Sequence, residues 1–144
     1  MNMAQALAPW RPRVLSILRI VVALLFLEHG TVKLLGWPGP GPANLSTLLY
    51  CAALIEIIGG ALVAVGLFTR LAAFIMSGEM AFAYFMSHAG TVMGPLNAPP
   101  GPGPHSFFPH LNGGEITVLY CFLWLYLASR GPGRISVDAA LGRG

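Results

Sequence analysis

The sequence predicts an all-α integral membrane protein: a bundle of four transmembrane helices with the N and C termini both in the cytoplasm. Composition predicts the membrane. Of 144 residues, 56% are hydrophobic and only 9% are charged, and mean hydropathy is +0.71. A soluble domain carries about a quarter charged residues. So few charges cannot cover a water-facing surface, which leaves lipid as the expected solvent around much of the chain. The apolar runs predict helices, because they are continuous and do not alternate with polar residues as barrel strands do. The placement of Lys and Arg predicts the orientation.

Residues 1–13 read as a cytoplasmic N-terminal segment. Arg11 and Arg13 precede an apolar stretch, as in a secretory signal, yet no small-residue cleavage site follows. The run continues through Glu28, His29 and Lys33, so a retained helix is expected. That first span covers about Val14 to Leu35, close to the roughly 20 residues a bilayer core requires. The stretch Gly36-Trp37-Pro38-Gly39-Pro40-Gly41-Pro42 ends it, since proline removes a donor and restricts the residue before it. A second span is expected over about Leu45 to Phe68, capped by Asn44. A third follows over about Leu71 to Ser87, capped by Thr69 after a tight turn. The fourth, about Gly113 to Ser129, is the shortest. Asn112-Gly113-Gly114-Glu115 has the spacing of a capping box, with Glu115 at the third position. Gly131-Pro132-Gly133 stops that helix. Residues 14–130 thus form one membrane domain, and residues 131–144 a cytoplasmic tail.

An even number of spans places both termini and the second-to-third turn on one side. That side holds Arg11, Arg13, Arg70, Arg130, Arg134 and Arg143, with Arg19 just inside; the other side holds only Lys33. Positive residues mark the cytoplasmic face, so a multi-pass protein of a bacterial-type plasma membrane is expected. The connection from His88 to Asn112 is long for a loop without structure. Its Pro95, Pro99, Pro100, Pro102 and Pro104 favour extended geometry, and Phe107-Phe108-Pro109 returns toward the bundle. This reads as a lid on the outer face or as a plain linker. Nucleic-acid binding is not expected, because the basic residues are not clustered and no reader motif accompanies them.

Each span carries one glutamate: Glu28, Glu56, Glu79 and Glu115. A charge at the centre of a membrane helix costs about 2.5–3.5 kcal/mol on insertion scales, so such groups face the bundle interior and find partners. At 1.5 Å per residue, Glu28 lies about 21 Å and Glu56 about 18 Å above the inner boundary. Arg19 lies about 8 Å and Glu79 about 12 Å above it. Two polar layers are therefore expected, Arg19 with Glu79 below and Glu28, His29 and Glu56 above. Two carboxylates at one depth, if close, leave one of them protonated at neutral pH. Ala52, Glu56, Gly60 and Ala64 recur on one face, where small residues allow close helix approach. Arg19 either pairs or reaches to the interface. His29 either takes part in proton exchange or bonds a backbone carbonyl. Glu115 reads as a cap, and Asp138 as a structural partner of Arg70 or Arg134. Cys51 and Cys121 read as small apolar residues, and no Cys-x-x-Cys spacing signals a metal site.

These features resemble the DoxX family of small four-helix membrane proteins. The matching residues are Arg19-Ile20, Glu28-His29-Gly30 and Lys33, then Glu56, Gly59-Gly60 and Gly66-Leu67-Phe68-Thr69-Arg70. Phe107-Phe108-Pro109, Asn112-Gly113-Gly114-Glu115, Gly131-Pro132-Gly133 and Ser136-Val137-Asp138 complete them. The resemblance spans about residues 14–140 and implies a four-helix membrane bundle. The family is named after a subunit associated with quinol oxidation and thiosulfate:quinone oxidoreductase. The resemblance therefore implies a quinone-interacting or partner-anchoring subunit of a membrane oxidoreductase. Glu28, His29 and Glu56 are the candidates for proton exchange with the quinone. Lys33, Trp37, Glu79, Phe107 and Phe108 are the candidates for binding it. No ligand set for haem, a di-iron centre or another protein-bound metal is visible, which leaves a diffusible quinone or a cofactor on a soluble or membrane redox partner. Two other readings stand beside this one. A proton-coupled or metal-handling transporter would use the same polar layer, with His88, His105 and His110 collecting ions outside and a homo-oligomer widening the path. A non-catalytic scaffold would hold a soluble redox enzyme at the membrane.

Overall fold

The computed structural model describes residues 2–89 and 107–143. All regular structure among them is helical. A short helix α1 (Met3–Leu7) and one 3-10 turn (Ala8–Trp10) lead into α2 (Arg11–Leu35). Then follow α3 (Thr47–Val65), α4 (Thr69–Ser87), a single turn α5 (Pro109–Asn112), α6 (Glu115–Arg130) and a last turn α7 (Val137–Ala140). The four long helices α2, α3, α4 and α6 fall on the four segments expected to be helical. By length and composition, the stretch Gln5–Leu35 and helix α3 are apolar enough to cross a membrane. With 16 residues, α6 is about 24 Å long.

The helix ends differ from the expected ones, each for a local reason. Helix α2 starts at Arg11, three residues before Val14, because Pro12 fits the first turn of a helix. Ser46, not Asn44, caps α3, its side chain accepting from the Leu49 amide at 3.3 Å. Gly66, at φ +77°, ends α3 in the left-handed conformation, and Phe68, also left-handed at φ +49°, precedes α4. Thr69 is therefore the first helical residue of α4 and not its cap. Asn112 closes its own turn by accepting from the Gly114 amide at 2.8 Å. Helix α6 then begins at Glu115, so no capping box forms; exposed Glu115 faces His110 at 3.4 Å. Gly131 does stop α6.

Packing joins α2 to α3 and α4 to α6 most extensively, with a looser seam between α3 and α4. Small residues bring α2 and α3 together. A Cβ on Gly30 would lie 2.8 Å from the Ala53 carbonyl oxygen, and one on Gly60 would lie 3.1 Å from that of Ala23. Phe26, Val63, Met76, Trp124 and Leu127 fill the centre. The outward faces are also apolar: Leu24, Ile58, Phe74, Phe85, Leu119 and Phe122 are all exposed. Apolar surface of that extent is foreign to a monomer in water and suits a hydrocarbon surround.

The tail after α6 is folded back onto the Arg-rich end of the bundle. Gly131-Pro132-Gly133 turns the chain, and Ile135 then bonds α2 twice. Its carbonyl accepts from Arg19 Nη2 at 2.6 Å, and its amide donates to Ser16 Oγ at 3.1 Å. Arg19 is 1% exposed, and a Cβ on Gly66 would sit 1.7 Å from its Nη1. Asp138 accepts from the Phe68 and Thr69 amides at 3.1 and 3.0 Å, and its own amide donates to the Gly66 carbonyl at 2.8 Å. This corrects the expected pairing of Asp138 with Arg70 or Arg134. Arg70 donates instead to the Ser129 and Ala128 carbonyls, at 2.6 and 3.2 Å, closing the open end of α6. Asp138 takes the start of α4 because a helix N-terminus leaves amides without partners and favours negative charge.

Burial opposes ionisation of Asp138, but the Thr69 and Phe68 amides, with Arg143 nearby, outweigh it and hold the carboxyl below the usual carboxylate range. A carboxyl depressed in the folded state contributes stability that is complete above its unfolded value of about 3.9 and is lost as pH falls through the folded value. Asp138→Ala is expected to lower stability at pH 7 by about 1–3 kcal/mol, the cost of leaving buried donors unpaired. Thermal unfolding in detergent checks this, and Asp138→Asn should remove the part of the wild-type acid sensitivity that lies below about pH 4.

Candidate functional site

A cavity of about 510 Å³ lies among α2, α3, α4 and α6. Helix α2 contributes Phe26, His29 and Lys33, which recur at helical spacing on one face. Helix α3 contributes Leu48, Leu49, Ala52, Ile55 and Glu56; α4 contributes Ile75, Gly78, Glu79, Phe82, Ala83 and Met86. Ile116, Thr117 and Tyr120 of α6 close the far side. The walls are mostly apolar, and Gly78 leaves open space, with no atom within 4 Å of where its Cβ would stand.

The charged groups gather at one place. Lys33 Nζ lies 2.5 Å from Glu56 Oε1. Lys33 lies toward the end of α2 opposite the arginines, and a helical side chain leans toward its own N-terminus, which brings the ammonium down to Glu56. Gly30, one turn earlier, makes room, since a Cβ there would lie 3.0 Å from that of Glu56. Glu56 is 1% exposed, and its second oxygen has no hydrogen-bond partner among the described residues. Both oxygens of Glu79 are buried and equally without a partner there. Glu79 lines the same cavity and interacts electrostatically with Glu56 and Lys33. One ammonium and two carboxylates thus line one cavity, which leaves one carboxylate for a proton or a cationic group to balance.

His29 Nδ1 lies 2.8 Å from the Leu25 carbonyl. A carbonyl only accepts, so Nδ1 carries the hydrogen and Nε2 remains available. The imidazole stands edge-on to Tyr120, with ring centroids 5.9 Å apart. At the end away from the arginines, His88 Nδ1 lies 3.2 Å from the Asn112 carbonyl and Nε2 lies 3.3 Å from Thr117 Oγ1.

The two expected polar layers are rearranged. Glu28 is exposed and does not line the cavity. Arg19 does not meet Glu79; it is held by the tail. Glu79 lines the same cavity as Glu56 instead. The turn between α3 and α4 lies earlier in the chain than expected, at residues 66–68 and not 69–70, so Glu56, nine residues before Val65, and Glu79, ten beyond Thr69, both lie about 14–15 Å from it. Trp37 is 67% exposed and lies off the cavity. Phe107 and Phe108 are exposed and do not line it; the Phe107 carbonyl accepts from the Tyr84 hydroxyl. His105 and the proline-rich part of the expected lid lie outside the described residues. Cys51 and Cys121 are free thiols. Among the described residues no three His, Cys, Asp or Glu side chains converge on a metal position. Tyr120, Thr117 and Gly78 were not anticipated, since nothing in their local pattern separates them from ordinary helix residues. His88 was anticipated only as an outside residue.

A family model described as DoxX matches residues 14–89, the stretch that holds α2, α3 and α4. A curated relative from Haemophilus influenzae, named only as an uncharacterized protein, is 44% identical over 136 residues, covering 92% of this chain and 93% of its own. No solved structure matches.

Removing one partner of a buried ion pair costs roughly 3–5 kcal/mol, because the other charge is stranded. Lys33 is 26% exposed, which places Lys33→Met at the low end of that range. The double variant Lys33→Met/Glu56→Met should recover most of the loss. Thermal unfolding of wild type, both single variants and the double variant in one detergent measures the coupling.

Proposed function

The chain belongs to the DoxX family, and we propose that it is a multi-pass protein of a bacterial-type plasma membrane that binds a quinone for a membrane oxidoreductase. In this reading all four long helices span the bilayer, with both termini in the cytoplasm. The apolar outer faces of α4 and α6 support the full count, since they match those of α2 and α3. The arginines gathered at one end support the orientation.

The observation that carries the ligand is a charged trio set in an apolar cavity. The cavity's volume falls within the roughly 300–1,000 Å³ of small-molecule sites, where a few placed polar groups fix orientation. A quinone has that chemistry, with two carbonyl oxygens on a ring and a hydrocarbon tail. Bound there, it would accept two electrons and two protons. Lys33 would donate a hydrogen bond to one carbonyl, while Glu79, Glu56 and His29 Nε2 would hold or pass protons. Ile55, Ile75 and Phe82 would cover the ring and tail and exclude water. The loose seam between α3 and α4 would admit the ligand sideways from the lipid. The electrons would come from a soluble or membrane redox partner.

The oxygens of Glu79, without hydrogen-bond partners among the described residues, favour a second reading, a proton-coupled carrier for a small solute or metal. Flux into proteoliposomes that disappears with Glu79→Gln, without bound quinone, would select it.

Protein purified gently from its native membrane is expected to retain quinone, detectable by solvent extraction and mass spectrometry. Glu56→Gln should weaken retention about tenfold, equivalent to about 1.4 kcal/mol. Gly78→Leu fills the cavity where space is open, so it should lower occupancy while the melting temperature holds. Wild type that carries no quinone, and whose melting temperature does not respond to an added short-chain quinone, would overturn the reading.

A further inference from the structure

A second groove, of about 460 Å³, lies at the Arg-rich end between the start of α2 and the end of α6. Its rim carries Arg11 and Arg130, and Trp10, Val14, Leu18 and Tyr126 are among its walls. Three other arginines at this end are engaged within the bundle. Arg19 is held by Ile135 and Arg70 by Ser129; the Arg13 guanidinium stands 5.4 Å over the Trp10 ring. Arg11 and Arg130 are exposed, and no hydrogen bond or ion pair ties either side chain among the described residues. Two uncompensated guanidiniums thus sit above a slot that becomes hydrocarbon-like with depth. From Arg11, Val14 lies about one helical turn in and Leu18 about two. Trp10 and Tyr126 are the aromatic types that settle at the headgroup level.

We propose that this groove is a binding site for an anionic phospholipid of the leaflet that faces the arginines. The phosphate sits between Arg11 and Arg130, where guanidinium geometry suits phosphate oxygens. An acyl chain lies along Val14, Leu18 and Tyr126. The direction of the groove selects a lipid over an acidic protein segment, because its apolar walls run inward along the helices. The site rests on the reading of the bundle as membrane-embedded and is independent of the quinone.

The test is native mass spectrometry of delipidated protein in non-ionic detergent. The protein is titrated with phosphatidylglycerol, with phosphatidylcholine of the same acyl chains, and with inorganic phosphate. Wild type is expected to take up one phosphatidylglycerol at least fivefold more tightly than phosphatidylcholine, with no comparable uptake of phosphate. Arg11→Gln/Arg130→Gln should reduce that preference below twofold. Arg134→Gln, which removes a charge from the same end outside the groove, should leave it intact. All these residues are exposed, so the variants should keep the wild-type melting temperature and quinone content. Equal affinity of wild type for the two lipids, a preference that survives the double substitution, or equal uptake of free phosphate would overturn the proposal. Detergent binding does not depend on which side of the membrane the arginines face, so an error in orientation would not imitate failure here.

Discussion

Burial of Glu56 against α2 constrains much of the rest of the molecule. A carboxylate at 1% exposure in apolar surroundings needs a counter-charge, and Lys33 supplies it at 2.5 Å. That pairing requires α2 and α3 to lie close, which the missing side chain of Gly30 permits and any larger residue would oppose. The closeness of α2 and α3 in turn leaves α4 and α6 to pack on each other. The space left among the four becomes the cavity, and Glu79 enters it from the loosely packed side. A charge at this depth is expensive, and here it also places a ligand-sized opening.

The opposite device operates at the Arg-rich end. There the carboxylate and guanidinium groups serve the backbone rather than each other. Asp138 accepts from the amides that begin α4, Arg70 donates to the carbonyls that end α6, and Arg19 holds the tail through Ile135. Each closes a chain terminus or turn that a helix leaves unsatisfied. The tail is consequently an integral part of the bundle. Gly66 has two reasons to lack a side chain, its left-handed conformation and the guanidinium of Arg19 beside it.

The two ends therefore divide the work. The Arg-rich end is tied by hydrogen bonds spanning long stretches of chain. Buried atoms without hydrogen-bond partners among the described residues occur in both halves, Arg19 Nε and Nη1 and Thr69 Oγ1 at the Arg-rich end and carboxylate oxygens of Glu56 and Glu79 in the other, but only the latter line the cavity. His29 is tied on one nitrogen and available on the other. Proton exchange of this kind is what the proposed quinone would require.

By itself the sequence determined the all-helical class, the four helical segments, the stop at Gly131 and the family. These follow from hydropathy, proline and glycine placement and motif spacing, which act over a few residues and need no partner. It also marked Glu56, Lys33 and His29 as unusual, because charge in an apolar run is visible without coordinates. Only the tertiary structure decided which charges meet. Depth counted along a helix depends on where its turn begins: α3 ends three residues before Phe68 and α4 starts two before Leu71, and that shift brings Glu56 and Glu79 to one depth and takes Glu79 away from Arg19. Direction around the helix axis set Glu28 outside and Lys33 inside, although both lie on α2 within two turns of each other. The roles of Asp138 and Arg70 were equally hidden, because their partners are backbone amides and carbonyls that every residue type carries and that become available only where a helix ends in space beside them.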